Sequence, residues 1–339
     1  MIGEALVDLV TGDPQGDGPD PTVQARLGGG SYNTARTIGR LGVPVSFAGR
    51  LADDPFGWLL RAGLSESGVT IGVPRPTAAP TTLAVVSVAA DGTAEYRFYL
   101  DGTSAADLEY HDLLTALDGT ALASTALLTT TLPATVDAAT LPATVDAAAP
   151  PATVDAVYLG GLWLVREPLA TSISSLAAGG LPAGALLMVD PNCRPDAIGS
   201  DREAYLAQVT GLAGRTDILK ASVEDLAYIS PAQSAADAAA GLLAAGVRLV
   251  LVTDGPRPVR AFLPSGVVTA EVPSVVIADT IGAGDAFGGA FLAWWTARGH
   301  GRGELADPEV VTGALGFAAS VSALTCTRPG ADPPRLSVT

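Results

Sequence analysis

The chain has 339 residues, 48% of them apolar and 16% charged, a composition that supports a large core and excludes disorder. Nineteen basic residues against 35 acidic ones give a formal charge of −16 with no basic cluster, which argues against electrostatic binding to nucleic acid. Lys220 is the only lysine, His111 and His300 the only histidines, and Cys193 and Cys326 the only cysteines. Walker-type loops, protein-kinase motifs, multi-histidine zinc centres and disulfide scaffolds are therefore out.

Ile2–Val10 reads as a strand with Gly3 and Asp8 near its end. Met1 leaves it little room, so a start downstream of the natural one and a merely short first strand weigh equally. A Gly/Pro/Asp-rich stretch (11–21) leads to Gly28-Gly-Gly-Ser-Tyr-Asn33. Thr34–Leu41 then has helical spacing, and Gly42 closes it ahead of a strand over Val43–Phe47. Thr81–Val88 and Thr93–Leu100 are β-rich runs joined across Asp91-Gly92, a hairpin signal. Leu132–Thr140 recurs as Leu141–Ala149, with a partial third copy over Pro150–Ala156. The period of nine keeps Pro133, Pro142 and Pro151 in step, and likewise Asp137, Asp146 and Asp155. So short a unit builds no solenoid core and reads as a duplicated surface insertion (132–156).

From Ala156 onward, strands and helices alternate: Val157–Leu159, a helix over Leu169–Ala178, Leu186–Asp190, Ile218–Leu219, a helix reaching Ala245, and Leu249–Thr253. This rhythm implies a mainly parallel sheet covered by helices, an α/β class. The early hairpin breaks the rhythm and is better placed as a separate lid. Ser274–Ala278 reads as a short apolar strand, Ala286–Arg298 as a helix, and Gly313–Cys326 as a core helix too interrupted to cross a membrane. The N-terminus shows no export signal, so a cytoplasmic location is expected.

Chemistry concentrates between the strand at 274–278 and the helix at 286–298, in Asp279-Thr-Ile-Gly282-Ala283-Gly284-Asp285. Successive N–H groups at a helix start hold an anion, and glycines let it approach the backbone. Asp285 then stands where an acceptor hydroxyl can surrender its proton. An Asp in a first helical turn is also a common stabilising choice. A dinucleotide fingerprint through Gly282, Gly284 and Gly288 is disfavoured, because Asp285 would face a pyrophosphate.

These segments resemble the ribokinase-like (PfkB) family of carbohydrate kinases. Asp279–Asp285 is similar to that family's C-terminal signature, and Gly28–Asn33 with Gly49–Gly57 to its N-terminal one. Asp190-Pro-Asn-Cys-Arg194, Lys220-Ala-Ser222-Val-Glu-Asp225 and Cys326-Thr-Arg-Pro-Gly330-Ala follow in family order.

The resemblance implies a single domain with the three-layer α/β/α ribokinase-like fold, a small β lid from about residues 9–27 and 81–103, and ATP-dependent phosphorylation of a sugar. Asp285 is implied as the base, with Gly282, Ala283 and Gly284 as the anion hole. Asp8, Gly29, Asn33, Phe98 and Arg194 fall on the acceptor side, and Lys220, Ser222, Thr253 and Gly255 on the nucleotide side. For Lys220 a merely solvated position is the bland alternative. Pro258 stands where a glycine often follows the nucleotide loop. Asp225 replaces a family glutamate and is expected to reach Mg²⁺ through water. Asp279 is implied either as part of a monovalent-cation (K⁺) site or as a loop anchor.

Lid edges in this family often pair, so a homodimer is expected, with no membrane or nucleic-acid partner. The segments 190–194 and 326–331 most resemble fructokinases. Leu100 stands where ketodeoxygluconate kinases tend to carry an arginine, which favours a neutral sugar. Ribokinase, nucleoside kinase and ketodeoxygluconate kinase remain alternatives, as does a non-catalytic sugar-binding protein.

Deleting 132–149 removes two whole repeats and keeps the third as a connection. Closure entropy varies slowly with loop length, so stability should shift by only about 1 kcal/mol in a denaturant titration. Loss of folding would make the insertion part of the core.

Overall fold

The computed structural model describes residues 1–11, 23–88, 94–118, 154–160 and 166–338. The repeats up to residue 153, the tip of the lid hairpin and the Gly/Pro-rich stretch after residue 11 lie outside these, while the last repeat residue, Ala156, already opens β7. In chain order the strands are β1 (Leu6–Thr11), β2 (Val23–Gly28), β3 (Ser46–Phe47), β4 (Thr70–Ile71), β5 (Leu83–Val88) and β6 (Ala94–Tyr99). They continue with β7 (Ala156–Gly160), β8 (Leu186–Asp190), β9 (Ile218–Ser222), β10 (Leu249–Thr253), β11 (Val259–Leu263) and β12 (Gly266–Ala270). The helices used below are α1 (Gly30–Arg40), α2 (Pro55–Glu66), α3 (Tyr110–Leu117), α4 (Leu169–Ser175), α5 (Pro195–Ile198), α6 (Arg202–Ala213), α7 (Val223–Ile229), α8 (Ala235–Ala244), α9 (Ala283–Ala297) and α10 (Pro308–Thr325).

The central sheet runs β12-β11-β10-β9-β8-β7, parallel from β7 to β10 and antiparallel beyond. Ile2 links it to the chain just after β3 through parallel bridges to Leu159 and Ala48. Period-two alternation sends neighbouring strand residues to opposite faces. Val157, Leu159, Leu187 and Val189 pack on one face with Leu113 of α3, Ile173 of α4 and Val209 of α6. Tyr158, Leu186, Met188 and Leu251 pack on the other with Ile38 of α1, Phe291 of α9 and Leu315 of α10. Three layers follow directly.

The lid is a separate sheet in the order β2-β1-β5-β6, with β1 and β5 parallel. It begins at Leu6, earlier than expected, because the first strand breaks after Ile2 and re-forms as β1 in the lid; Asp8 therefore sits mid-strand. Asp54 ties the lid down: it caps α2 through the Gly57 N–H at 2.7 Å and accepts from the Thr81 N–H at 2.8 Å.

Other expectations need adjustment. The strand expected at Val43–Phe47 shrinks to β3, and the helix expected to reach Ala245 is two, α7 and α8. The antiparallel hairpin β11-β12 escaped the sequence reading; β12 is the edge strand of the sheet, and its Val267 is 52% exposed. Ser274–Ala278 is not a strand. Among the described residues its β-branched run finds no partner strand; Val276 is 89% exposed, and the Ala278 and Asp279 N–H groups donate to the Cys326 carbonyl.

Helices α1 and α9 meet at Gly289, where a Cβ would lie 2.8 Å from the Thr34 carbonyl and 2.9 Å from Thr37 Cβ. Nothing larger than glycine fits without parting the helices. Gly289→Ala should cost about 1–3 kcal/mol of stability by denaturant titration, with kcat falling as well because these helices carry facing polar side chains. Unchanged stability would mean the helices yield freely.

Candidate active site

A cavity of about 740 Å³ opens at the carboxyl ends of β8, β9 and β10, beneath the lid. Ligand sites in open α/β sheets form at such strand ends. Asp8, Gly29, Asn33, Phe98 and Arg194 line one part of it. Lys220, Ser222, Asp225, Thr253 and Gly255 line another, and Gly282, Ala283, Gly284 and Asp285 also lie on its wall. The sequence-predicted residues thus converge, with Asp279 as the exception.

Gly282 caps α9 in the left-handed conformation, φ 77°, and a Cβ there would meet Ala331 Cβ at 2.5 Å. Only glycine turns this corner. No side chain caps the helix start; the Ala283 N–H turns back to the Thr280 carbonyl at 3.3 Å, and the next N–H groups, of Gly284 and Asp285, face no side-chain acceptor that would keep an anion away. Asp285 follows in the first turn, and its Oδ2 accepts from Asn33 Nδ2 at 2.9 Å. Burial pushes its carboxyl up to about 6, opposed by the Asn33 hydrogen bond and by Lys220. Asn33 Oδ1 is buried without a partner.

Lys220 is not solvated: it is 4% exposed and its ammonium donates to Asp190 Oδ2 at 2.8 Å. A Cβ on Gly284 would lie 3.0 Å from Lys220 Nζ, so this cation stands beside the glycine loop. Burial favours the neutral amine, but Asp190, Asp225 and Asp285 outweigh it and the group is held charged.

Asp225 is 5% exposed, and its two oxygens accept from the N–H groups of Cys193 (2.7 Å) and Ser222 (2.8 Å), while Ser222 Oγ accepts in return from the Asp225 N–H. This capping box starts α7 and fixes the loop that presents Arg194. Free lone pairs remain for a water-mediated metal contact. Among the described residues no three ligating side chains cluster, and Mg²⁺ shared with phosphates needs only one or two carboxylates. The donor set fits such an ion.

On the acceptor side, burial and the charge of Asp285 push Asp8 up to about 6, against the pull of Arg194 and Arg26. Tyr96 and Phe98 stack with centroids 6.0 Å apart on β6, and both line the cavity. Leu100 does not. It is 7% exposed within the apolar core, so the missing arginine there says nothing about the acceptor's charge. Asp279 accepts from the Ile281 and Gly330 N–H groups (3.1 and 2.8 Å) and pairs with Arg26 of β2 at 2.9 Å, contacts that anchor its loop.

Three polar wall or wall-supporting residues were missed. Asp190 is a fully buried counterion 30 positions from its lysine, a distance no local pattern reveals. Asn192 and Glu4 also line the cavity; only the Asn in 190–194 and the Gly3-Glu4 pair hinted at them.

The sequence matches the profile described as pfkB family carbohydrate kinase over residues 1–163 and 120–337. The chain belongs to this family. It is 31% identical to fructokinase-1 of Zea mays, covering 98% of this chain and 92% of that protein. It is 29% identical to a fructokinase of Rhizobium leguminosarum bv. trifolii, covering 86% and 77%. A fructokinase from Xylella fastidiosa with bound ATP superposes with a TM-score of 0.77 at 24% identity, covering 97% of this chain and 92% of that one. The fold is thus the three-layer ribokinase-like one, and the enzyme class is ATP-dependent carbohydrate kinase.

Lys220→Met should strand the buried Asp190 charge and cost about 3–5 kcal/mol in urea unfolding. Adding Asp190→Asn should return most of that stability but none of the turnover. Full recovery of turnover in the double variant would make Lys220 a structural cation only.

Proposed function

We propose that the chain is a fructokinase that transfers the ATP γ-phosphoryl group to a primary hydroxyl of fructose, with Asp285 as general base. The observation that carries this is the placing of Asp285 between two unlike surroundings. Asn33 grips it from the acceptor side, and the N-terminal turn of α9 with Lys220 flanks it on the other. The buried, unpartnered Asn33 Oδ1 suits a sugar O–H donor. Bacterial and plant relatives named fructokinase support the choice of sugar.

Asp285 takes the acceptor proton as the sugar oxygen forms its bond to phosphorus and the bond to the leaving β-phosphate oxygen breaks. The N–H groups at Gly282–Gly284 and the Lys220 ammonium hold the charge on the migrating group. Ser222, Thr253 and Gly255 border the nucleotide, while Asp8, Gly29 and Phe98 border the sugar. Mg²⁺, when bound, would neutralise phosphate charge, with Asp225 holding it through water.

One observation keeps ketodeoxygluconate in view. Arg194 lines the cavity, and among the described residues its guanidinium donates only to the Cys193 carbonyl, so it can still meet a carboxylate.

A coupled assay over fructose, ribose, ketodeoxygluconate and adenosine should show the highest kcat/KM for fructose; an acid preferred over it would overturn the fructose assignment. Asp285→Asn should lower kcat about 10²–10⁴-fold, with sugar and ATP affinities within roughly tenfold and melting little changed. In the parent, kcat/KM should fall as pH drops through about 6 and Asp285 takes up a proton. A folded Asn variant with half the parental rate would remove Asp285 from this role.

A further inference from the structure

Glu4 is a second carboxyl in the cavity wall that the mechanism above leaves unused. It lies on the turn between Ile2 and β1 and is 2% exposed. Oε1 accepts from the Gly30 N–H at 2.6 Å, which caps α1 where Gly29 has no side chain to do so. Oε2 is buried and has no partner. The position of a Cβ on Gly30 marks how closely the groups crowd: that point is 3.1 Å from Glu4 Oε1, 3.4 Å from Asp285 Oδ1 and 2.7 Å from Asn192 Nδ2. Glu4 and Asp285 therefore flank one small space on the acceptor side.

An ionised Glu4 would place a second negative charge beside the base, with only backbone N–H groups of Gly30 and Ser31 and its own turn to answer it. Asp285 from α9 raises its carboxyl further, and Glu4 in turn acts on the Tyr158 phenol of β7; neither partner is a cation. A neutral carboxyl removes the repulsion and turns Oε2 into a donor. Two unpartnered buried atoms then stand on this side, Asn33 Oδ1 as an acceptor and Glu4 Oε2 as a donor.

We propose that Glu4 recognises the acceptor in its protonated form, donating from Oε2 to the sugar oxygen next to the hydroxyl that faces Asp285. This rests on the acceptor site proposed above. No bond is made or broken at Glu4; the proton stays on it through the reaction, and Asp285 alone takes up the proton released by the sugar. Burial holds the Glu4 carboxyl up at about 7, so the donor is lost as pH rises past that value.

Two variants separate the roles. Glu4→Gln keeps an acceptor for the Gly30 N–H and presents an amide donor in place of the carboxyl O–H. Glu4→Met keeps the bulk and offers neither. The sugar used is the one the parent phosphorylates best. Glu4→Gln should hold sugar KM within about threefold of the parent, and Glu4→Met should raise it about ten- to a hundredfold, with ATP KM unchanged in both. In the parent, sugar KM should rise above about pH 7, and in Glu4→Gln it should not. Melting of each variant checks folding, and Glu4→Gln keeps the test alive should Glu4→Met unfold.

Equal losses of sugar affinity in the two variants would mean that an ionised carboxylate is needed, and the proposal fails. It fails as well if Glu4→Met lowers melting but leaves sugar KM alone, or if the parental rise above pH 7 persists in Glu4→Gln. Preference for another sugar overturns the fructose reading only. A parent that neither binds nor phosphorylates any of the four overturns both.

Discussion

The contact between α1 and α9 governs the reactive centre. Gly289 of α9 presses on Thr34 and Thr37 of α1, and one turn away on each helix Asp285 meets Asn33. Thr37 Oγ1 donates back to the Asn33 carbonyl at 2.9 Å, which stiffens the same turn. Two helices distant in sequence are thereby indexed to each other, and the carboxyl keeps one orientation. An amide is a suitable grip. A cation in its place would pull the carboxyl down and weaken it as a base, whereas Asn33 holds Asp285 and burial keeps it up at about 6.

Charge is sorted within the cavity in a way the net value of −16 conceals. The overall field repels a polyanionic nucleotide, so attraction has to be local. The positive end of α9 and the Lys220 ammonium lie together at the glycine loop, while Asp8, Glu4 and Asp285 gather near Asn33. Asp190, wholly buried, keeps Lys220 ionised in a place where an isolated amine would lose its proton.

What was legible in the sequence was local. Strand, glycine loop and helix start occupy consecutive residues, so Gly282–Asp285 could be read as an anion site before any coordinates. Alternation after Ala156 carried the layered fold. Features that depend on distant contacts were hidden: the Lys220–Asp190 pair, the Ile2 bridges to Leu159 and Ala48, and the Asp225 carboxylate committed to the Cys193 N–H. Leu100 shows a subtler limit. Period two puts it on the same face as Tyr96 and Phe98, yet that face passes from cavity to core before reaching it. Ser274–Ala278 had β-branched residues but no strand to pair with, and composition does not report partners.

The ion pair between Arg26 and Asp279 joins a lid strand to the segment that leads into the glycine loop. Any excursion of β2 away from the body would withdraw the guanidinium and leave Asp279 with its two backbone donors alone. The loop is then fully braced only while β2 keeps its place. A lid strand and the segment that starts α9 are in this way held in register by a contact whose carboxylate lies outside the cavity lining.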